Sequence, residues 1–311
     1  MALARGIMTT PEVRTRSTRA QVLMRDVYRV GWAAGPYLLG SRLVRNGLGG
    51  AAVRLGRAYV TRNREQWRDN VTLATGRVPS DAEVDAAVRS WTRNFTESFV
   101  MPSWSPDRIV STVTTDTEGE RRLREAMATR GAVAALPHIG SWDHAGAWAC
   151  ATGMPVATVA EEFGDTEFAA FKRYREKLGM RIYSHRDPSA LASLTRDVGE
   201  GYLACLVADR VFEGKGVPVV WRAGEVTRPT LAPVGPALLA RRTGALLIGV
   251  SARYTRDGIH LAFSEPVRHR TGADGLRAMT QDLVDFYAAE VALTPTDWHV
   301  FVPFFADEVR P

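Results

Sequence analysis

From residue 132 onward the chain alternates between compact apolar runs and longer stretches with helical spacing. Residues 132–136, 156–160, 202–208, 217–221 and 245–250 are short runs dominated by Val, Leu, Ile and Ala, the length and composition of strands covered on both faces. Residues 181–184 and 258–264 predict two further strands. Between them, residues 141–152, 166–179, 188–200, 236–243 and 272–291 repeat apolar positions at helical intervals, and glycines at 179 and 244 close two of these helices. Strands alternating with helices of this length predict an α/β fold, with a mostly parallel central sheet flanked by helices.

Upstream the pattern is helical. Ser80 with Glu83 forms a capping box that opens a helix to about residue 100. Its face of Val84, Ala87, Trp91, Phe95 and Phe99 is the candidate core side. Residues 102–116 carry no periodicity and read as loop, and a charged helix follows over 117–130. Residues 51–68 set apolar positions against an arginine face, and 21–48 form two short apolar segments joined at Gly35-Pro36. The organisation expected is a basic arm over 1–20 without regular structure and one domain over 21–311, with interfacial helices at 21–70 and an α/β body at 71–311.

Charge changes this picture. The 311-residue chain carries a net +6, but residues 1–70 hold thirteen arginines against four acids, leaving residues 71–311 at −3. A basic, apolar N-terminal region on a slightly acidic body fits an anionic surface such as membrane phospholipid. The uncharged run at 30–41 is too short to span a bilayer, which takes ~20 residues, but Trp32, Tyr37 and the flanking arginines suit the membrane interface. Nucleic acid is disfavoured, because the arginines interleave with aliphatic residues rather than with a stacking platform. Cys150 and Cys205 belong to no CxxC pair and read as buried small residues of a reducing compartment, with no metal centre.

The chemistry concentrates at one strand end. After residues 132–136 come Pro137, His138, a Gly140-Ser141 turn and Asp143 in the first turn of the next helix. Spacing alone carries little, since His260 with Glu265 and His269 with Asp274 repeat the same interval. Those two lie in a strand and a polar linker; only His138 follows a buried strand and precedes a helix. A neutral imidazole there can take a proton from a hydroxyl attacking an acyl carbonyl, with Asp143 expected to orient the ring. Asp209 ends a second strand, so two strand ends converge on the edge where open α/β sheets bind ligands. There is no GxSxG elbow, phosphate-binding loop or HExxH motif. A binuclear-metal reading of His138, Asp143 and His144 fails at Gly140, where that motif needs a histidine.

The stretch from His138 to Asp143, His-Ile-Gly-Ser-Trp-Asp, resembles the H-x4-D/E motif of bacterial lipid A and membrane glycolipid acyltransferases. Phe171-Lys-Arg-Tyr-Arg175, Asp209-Arg210, the block from Gly216 to Gly224 and the block from Gly235 to Gly244 resemble that family's later segments, and the likeness covers about residues 22–305. The arginine-rich N-terminal half is most similar to actinobacterial phosphatidylinositol mannoside acyltransferases. The resemblance implies a glycerolipid-acyltransferase-like fold and transfer of a long chain, typically palmitoyl, from acyl-CoA to the 6-hydroxyl of a mannose. The acceptor would be an anionic glycolipid at the cytoplasmic face of the plasma membrane. It implies His138 as base, Asp143 as its partner and Asp209 as a supporting acid, with no cofactor beyond the donor substrate. Arg175 and Arg210 are then candidates for CoA or acceptor phosphates, and Lys215 for the donor groove. Two other expectations stand beside it: a lipid A-type acyltransferase on another glycolipid, and a non-enzymatic protein that binds anionic membranes.

Overall fold

The structure, a computed structural model, describes residues 58, 60–162, 165–211, 216–272 and 274–305, with the side chains of 99, 165–167 and 170 outside that set. The basic arm, both apolar segments, Phe99's side chain and Lys215 therefore lie outside the described residues.

Seven strands form the central sheet: β1 (Val113–Thr115), β2 (Ala132–Leu136), β3 (Val156–Ala160), β4 (Met180–Ser184), β5 (Leu203–Val207), β8 (Leu246–Tyr254) and β9 (Ile259–Phe263). Their order is β1-β9-β8-β2-β5-β3-β4. From β8 to β4 every neighbour pairs parallel, while β9 runs antiparallel to β8 and β1 parallel to β9. A separate antiparallel ribbon joins β6 (Val217–Ala223) to β7 (Val226–Ala232). The mostly parallel sheet flanked by helices is thus the one that the alternating pattern predicts.

The central strand β2 is buried at every residue, because helices cover both faces. Val133 and Ala135 face a core shared with Leu194, Leu239, Leu283, Tyr287 and Trp221; Ala132, Ala134 and Leu136 face one shared with Trp148, Tyr174, Leu123 and Ile109. Two upstream helices, α1 (Arg64–Thr75) and α2 (Asp81–Val100), pack beside this body. The Ser80–Glu83 capping box is present at the start of α2. No helix of the described residues is long and apolar enough to cross a membrane.

Two segments depart from expectation. Residues 102–116 are not a plain loop. They hold the short helix α3 (Pro106–Ser111), capped by Ser105, and then β1, after which the charged helix α4 spans Thr117–Thr129. Three residues are too few to show an alternation, and β1 exists because it can add to the edge of β9. In β7 the polar alternation and Pro229 hide a strand. Proline is tolerated there because a two-stranded ribbon leaves one edge of each strand free of ladder bonds.

The turn after β2 is locked in place. Gly140 has φ +60° and forms a parallel bridge with Ala252 at the far end of β8. Its N–H donates to the Asp297 carbonyl at 2.9 Å, and Ser141 N–H donates to the Ala252 carbonyl at 3.1 Å. A Cβ at residue 140 would sit 1.8 Å from the Ala252 oxygen. Gly140→Ala therefore meets both a left-handed backbone and a backbone clash, and is expected to lower the thermal midpoint by more than about 5 °C or to prevent folding. Thermal unfolding of the purified variant measures this; a wild-type midpoint contradicts it.

Candidate active site

The register of the parallel sheet builds the site. β2 and β5 pair with Leu136 opposite Val207, and Ala208 N–H extends the ladder to the Leu136 carbonyl at 2.8 Å. His138 and Asp209 each follow two residues beyond those matched positions, so they emerge side by side at the carboxyl edge of the sheet. His138 Nδ1 lies 2.5 Å from Asp209 Oδ1, and the His138 backbone N–H donates to Asp209 Oδ2 at 3.0 Å. Trp298 Nε1–H donates to the same Oδ2 at 3.0 Å.

These contacts assign the proton on the ring. Asp209 is an acceptor, so Nδ1 carries a hydrogen, and in the neutral form of the ring the lone pair is on Nε2. Nε2 has no hydrogen-bond partner among the described residues, and the side chain is 18% exposed while that of Asp209 is fully buried. Burial by itself would raise the Asp209 carboxyl. The charge of His138 and the hydrogen bonds from His138 and Trp298 outweigh that and hold it below the usual carboxylate range. The Trp142 ring stands edge-on to the imidazole, 5.2 Å between centroids, and forms an apolar wall of the site.

Asp143 does not make the bond to His138 that the His-x4-Asp spacing suggested. It sits in the first turn of α5 (Trp142–Ala151), capped by Ser141, and is buried against Arg175 of α6 (Asp165–Lys177), with Arg175 Nε 2.5 Å from Oδ1. The turn at Gly140 lies between His138 and that helix start. His138 stays beside β5 while Asp143 faces α6. Arg175 also lies over the Phe171 ring, 3.6 Å from its centroid, so this cation is buried in an internal pair. Arg210 is 29% exposed and reaches Glu161 at 3.3 Å. Glu161 is half-buried beside His138, Arg210 and His185, and burial raises its carboxyl despite those cations. His144 turns away to the Ile109 carbonyl and Thr112, so the three residues of the metal-like pattern do not converge.

Sequence reasoning missed the segment of residues 297–299. Its Trp298 reaches Asp209, its His299 N–H donates to the His138 carbonyl at 2.8 Å, and Asp297 holds Gly140 as described above. The only signal was a Trp-His pair in an apolar tail, with nothing to say where it would dock.

A histidine held by a buried carboxylate at a strand end, with no partner on its outer nitrogen among the described residues, is an arrangement able to take up and release a proton. Residues 28–306 match the family of bacterial lipid A biosynthesis acyltransferases. The chain is 34% identical over 285 residues to a phosphatidylinositol mannoside acyltransferase of Mycolicibacterium smegmatis, covering 86% of this chain and 89% of that one. It is 32% identical over 285 residues to the protein of the same name in Mycobacterium tuberculosis, covering 89% of this chain and 86% of the relative. The chain belongs to the bacterial lipid A biosynthesis acyltransferase family and is an acyltransferase.

One electrostatic consequence is measurable. His299 is fully buried, and burial, followed by the charge of His138, pushes its pKa down to about 3. Unfolded histidine takes up a proton below about pH 6.5, so the unfolded state binds more protons between the two values. Stability therefore falls as pH drops through that window. Buried His144, also depressed, acts in the same direction. Urea unfolding is expected to show a contribution from His299 about 2 kcal/mol smaller at pH 5 than at pH 7. His299→Gln should remove that share, and an unchanged slope in the variant contradicts the assignment.

Proposed function

We propose that the enzyme transfers a long acyl chain, palmitoyl being the expected one, from acyl-CoA to the 6-hydroxyl of a mannose on a phosphatidylinositol mannoside. The acceptor reading rests on the names of the relatives above, each aligned over most of both chains. The observation that carries the mechanism is His138 Nε2, without a hydrogen-bond partner among the described residues, with Nδ1 pinned to buried Asp209.

In this mechanism the mannose hydroxyl gives its proton to His138 Nε2 as its oxygen attacks the thioester carbonyl. Asp209, ionised and held by its donors, stabilises the imidazolium as the orienting acid of a triad does. The tetrahedral intermediate collapses with departure of the CoA thiolate, which takes the proton back from Nε2. The ester and free CoA are the products. No acyl-enzyme is required, and burial raises the thiols of Cys150 and Cys205 away from the nucleophilic thiolate.

The orienting role expected of Asp143 thus passes to Asp209, first read as a supporting acid. Asp209 orients the base, and Asp143 with Arg175 anchors the helix behind it. Arg210, next to Asp209 and partly exposed, is the first candidate to meet a phosphate of donor or acceptor, with Lys215 the second. The basic and apolar N-terminal region would hold the enzyme at the cytoplasmic face of the plasma membrane, where both substrates meet.

His138→Ala is expected to abolish transfer with the fold intact, and Asp209→Asn to lower kcat by about a thousandfold or more. Asp143→Asn should act mainly on stability. Transfer is measured with acyl-CoA of several chain lengths against phosphatidylinositol mannosides and lipid A precursors. Activity of His138→Ala near wild type sinks the mechanism; preference for a lipid A precursor sinks the acceptor.

A further inference from the structure

Behind the base lies a second polar cluster. Ser90 of α2 donates its hydroxyl proton to Asp297 Oδ1 at 2.6 Å and lies 2.9 Å from His299 Nε2. Asp297 Oδ2 accepts from the Tyr254 backbone N–H at 2.8 Å. Serine, histidine and aspartate are the residue types of a nucleophilic triad, but the bonds run in the wrong order. The single hydroxyl proton of Ser90 goes to the carboxylate, so its oxygen accepts from His299 Nε2–H. His299 Nδ1 is left as a buried acceptor with no partner among the described residues. A histidine that donates to a serine cannot deprotonate it, so Ser90 is not a nucleophile.

What the cluster does hold is the segment that touches the base. Residues 297–299 place a carbonyl on Gly140, an indole N–H on Asp209 and a backbone N–H on the His138 carbonyl. Ser90 binds the first and third of these residues through their side chains and so fixes the position of the second. Trp142 links both imidazoles, edge-on to His138 at 5.2 Å and to His299 at 6.1 Å.

We propose that Ser90, Asp297 and His299 form a positioning relay that sets the proton affinity of His138 by holding the Trp298 N–H on Asp209. Each hydrogen bond that Asp209 accepts from Trp298 draws negative charge away from the side facing the imidazole. Loosening that bond returns the charge to His138 and makes the ring more basic. Among the described residues, the other ionisable groups facing His138 are Glu161, itself beside Arg210 and His185, and His299, which burial keeps neutral. Around the relay stand Arg93 and Arg253 near Asp297, with Glu290 at 3.4 Å from Arg253 and Glu97 accepting from the Tyr254 hydroxyl. None of these groups is changed in the test below.

The kinetic consequence rests on the reading of His138 as the base; the relay itself does not. Titration of the histidine rings in the full chain by carbon–proton NMR, with the His138 signal assigned by its loss in His138→Ala, reads the relay directly. Trp298→Phe is expected to raise the His138 midpoint by about half a pH unit or more. Ser90→Ala should move it in the same direction, Ser90→Thr should restore it, and Ser90→Ala with Trp298→Phe should move it no further than Trp298→Phe alone. Ser90→Cys, which preserves volume and weakens both bonds, gives the same readout should the alanine variant fail to fold. An unmoved midpoint in the Ser90 variants, or additive shifts in the double variant, overturns the relay. If the midpoint moves as expected but the acid limb of kcat/KM does not follow it, the relay stands and the assignment of His138 as the base falls.

Discussion

A wholly buried carboxylate governs the carboxyl edge of the central sheet. An isolated carboxylate in an apolar interior is too unfavourable to remain ionised, so Asp209 stays charged only while donors surround it. Three donors come from two parts of the chain: the His138 ring and backbone after β2, and the Trp298 indole from the far C-terminal segment. Each contact fixes a different feature. The ring contact sets the tautomer, the backbone contact sets the angle of the turn, and the indole contact tunes the charge that the ring experiences. The parallel register of β2 and β5 makes the arrangement possible, because it brings two residues seventy-one positions apart to matched strand ends.

The rest of the molecule reads as support for that edge. Gly140 lets the chain turn sharply against β8, and Asp143 with Arg175 fixes the helix that begins there. Breaking one member of such a buried pair leaves an uncompensated charge, a loss of about 3–5 kcal/mol in comparable cases, so the pair is better understood as an anchor than as a proton-transfer group. The two carboxylates of the site share a chemistry and differ in what faces them: a titrating imidazole in one case, a permanently charged guanidinium in the other.

Much of this was legible in the amino-acid pattern. Runs such as 132–136 and 202–208 announce strands buried on both faces, and two strands leading into His138 and Asp209 point to a common edge without any motif. The partner of His138 was not legible. A five-residue spacing across a turn and a helix start resembles a dyad, and only the direction in which Gly140 turns the chain decides between Asp143 and Asp209. Trp298, His299 and Ser90 were invisible for a different reason. Their contacts span about 89 to 209 residues, and no local periodicity encodes such a distance. The two apolar segments over 21–48 that suggested membrane contact lie outside the described residues.

Trp298 is also tied from the other side. Trp67 Nε1–H donates to the Trp298 carbonyl at 2.8 Å, and the Asn70 side chain donates to the carbonyls of Val300 and Val302 at 2.9 and 2.8 Å. One of the earliest helices and the last described segment thus close on each other around Asp209. During synthesis, α1 and every strand of the sheet emerge from the ribosome before residues 298–302 do. Until then Asp209 lacks its indole donor, and Trp67 and Asn70 lack the carbonyls that accept from them. The edge that bears His138 and Asp209 is therefore completed only after every strand of the sheet, and an emerging chain with all those strands but not residues 298–302 still lacks the indole donor on Asp209.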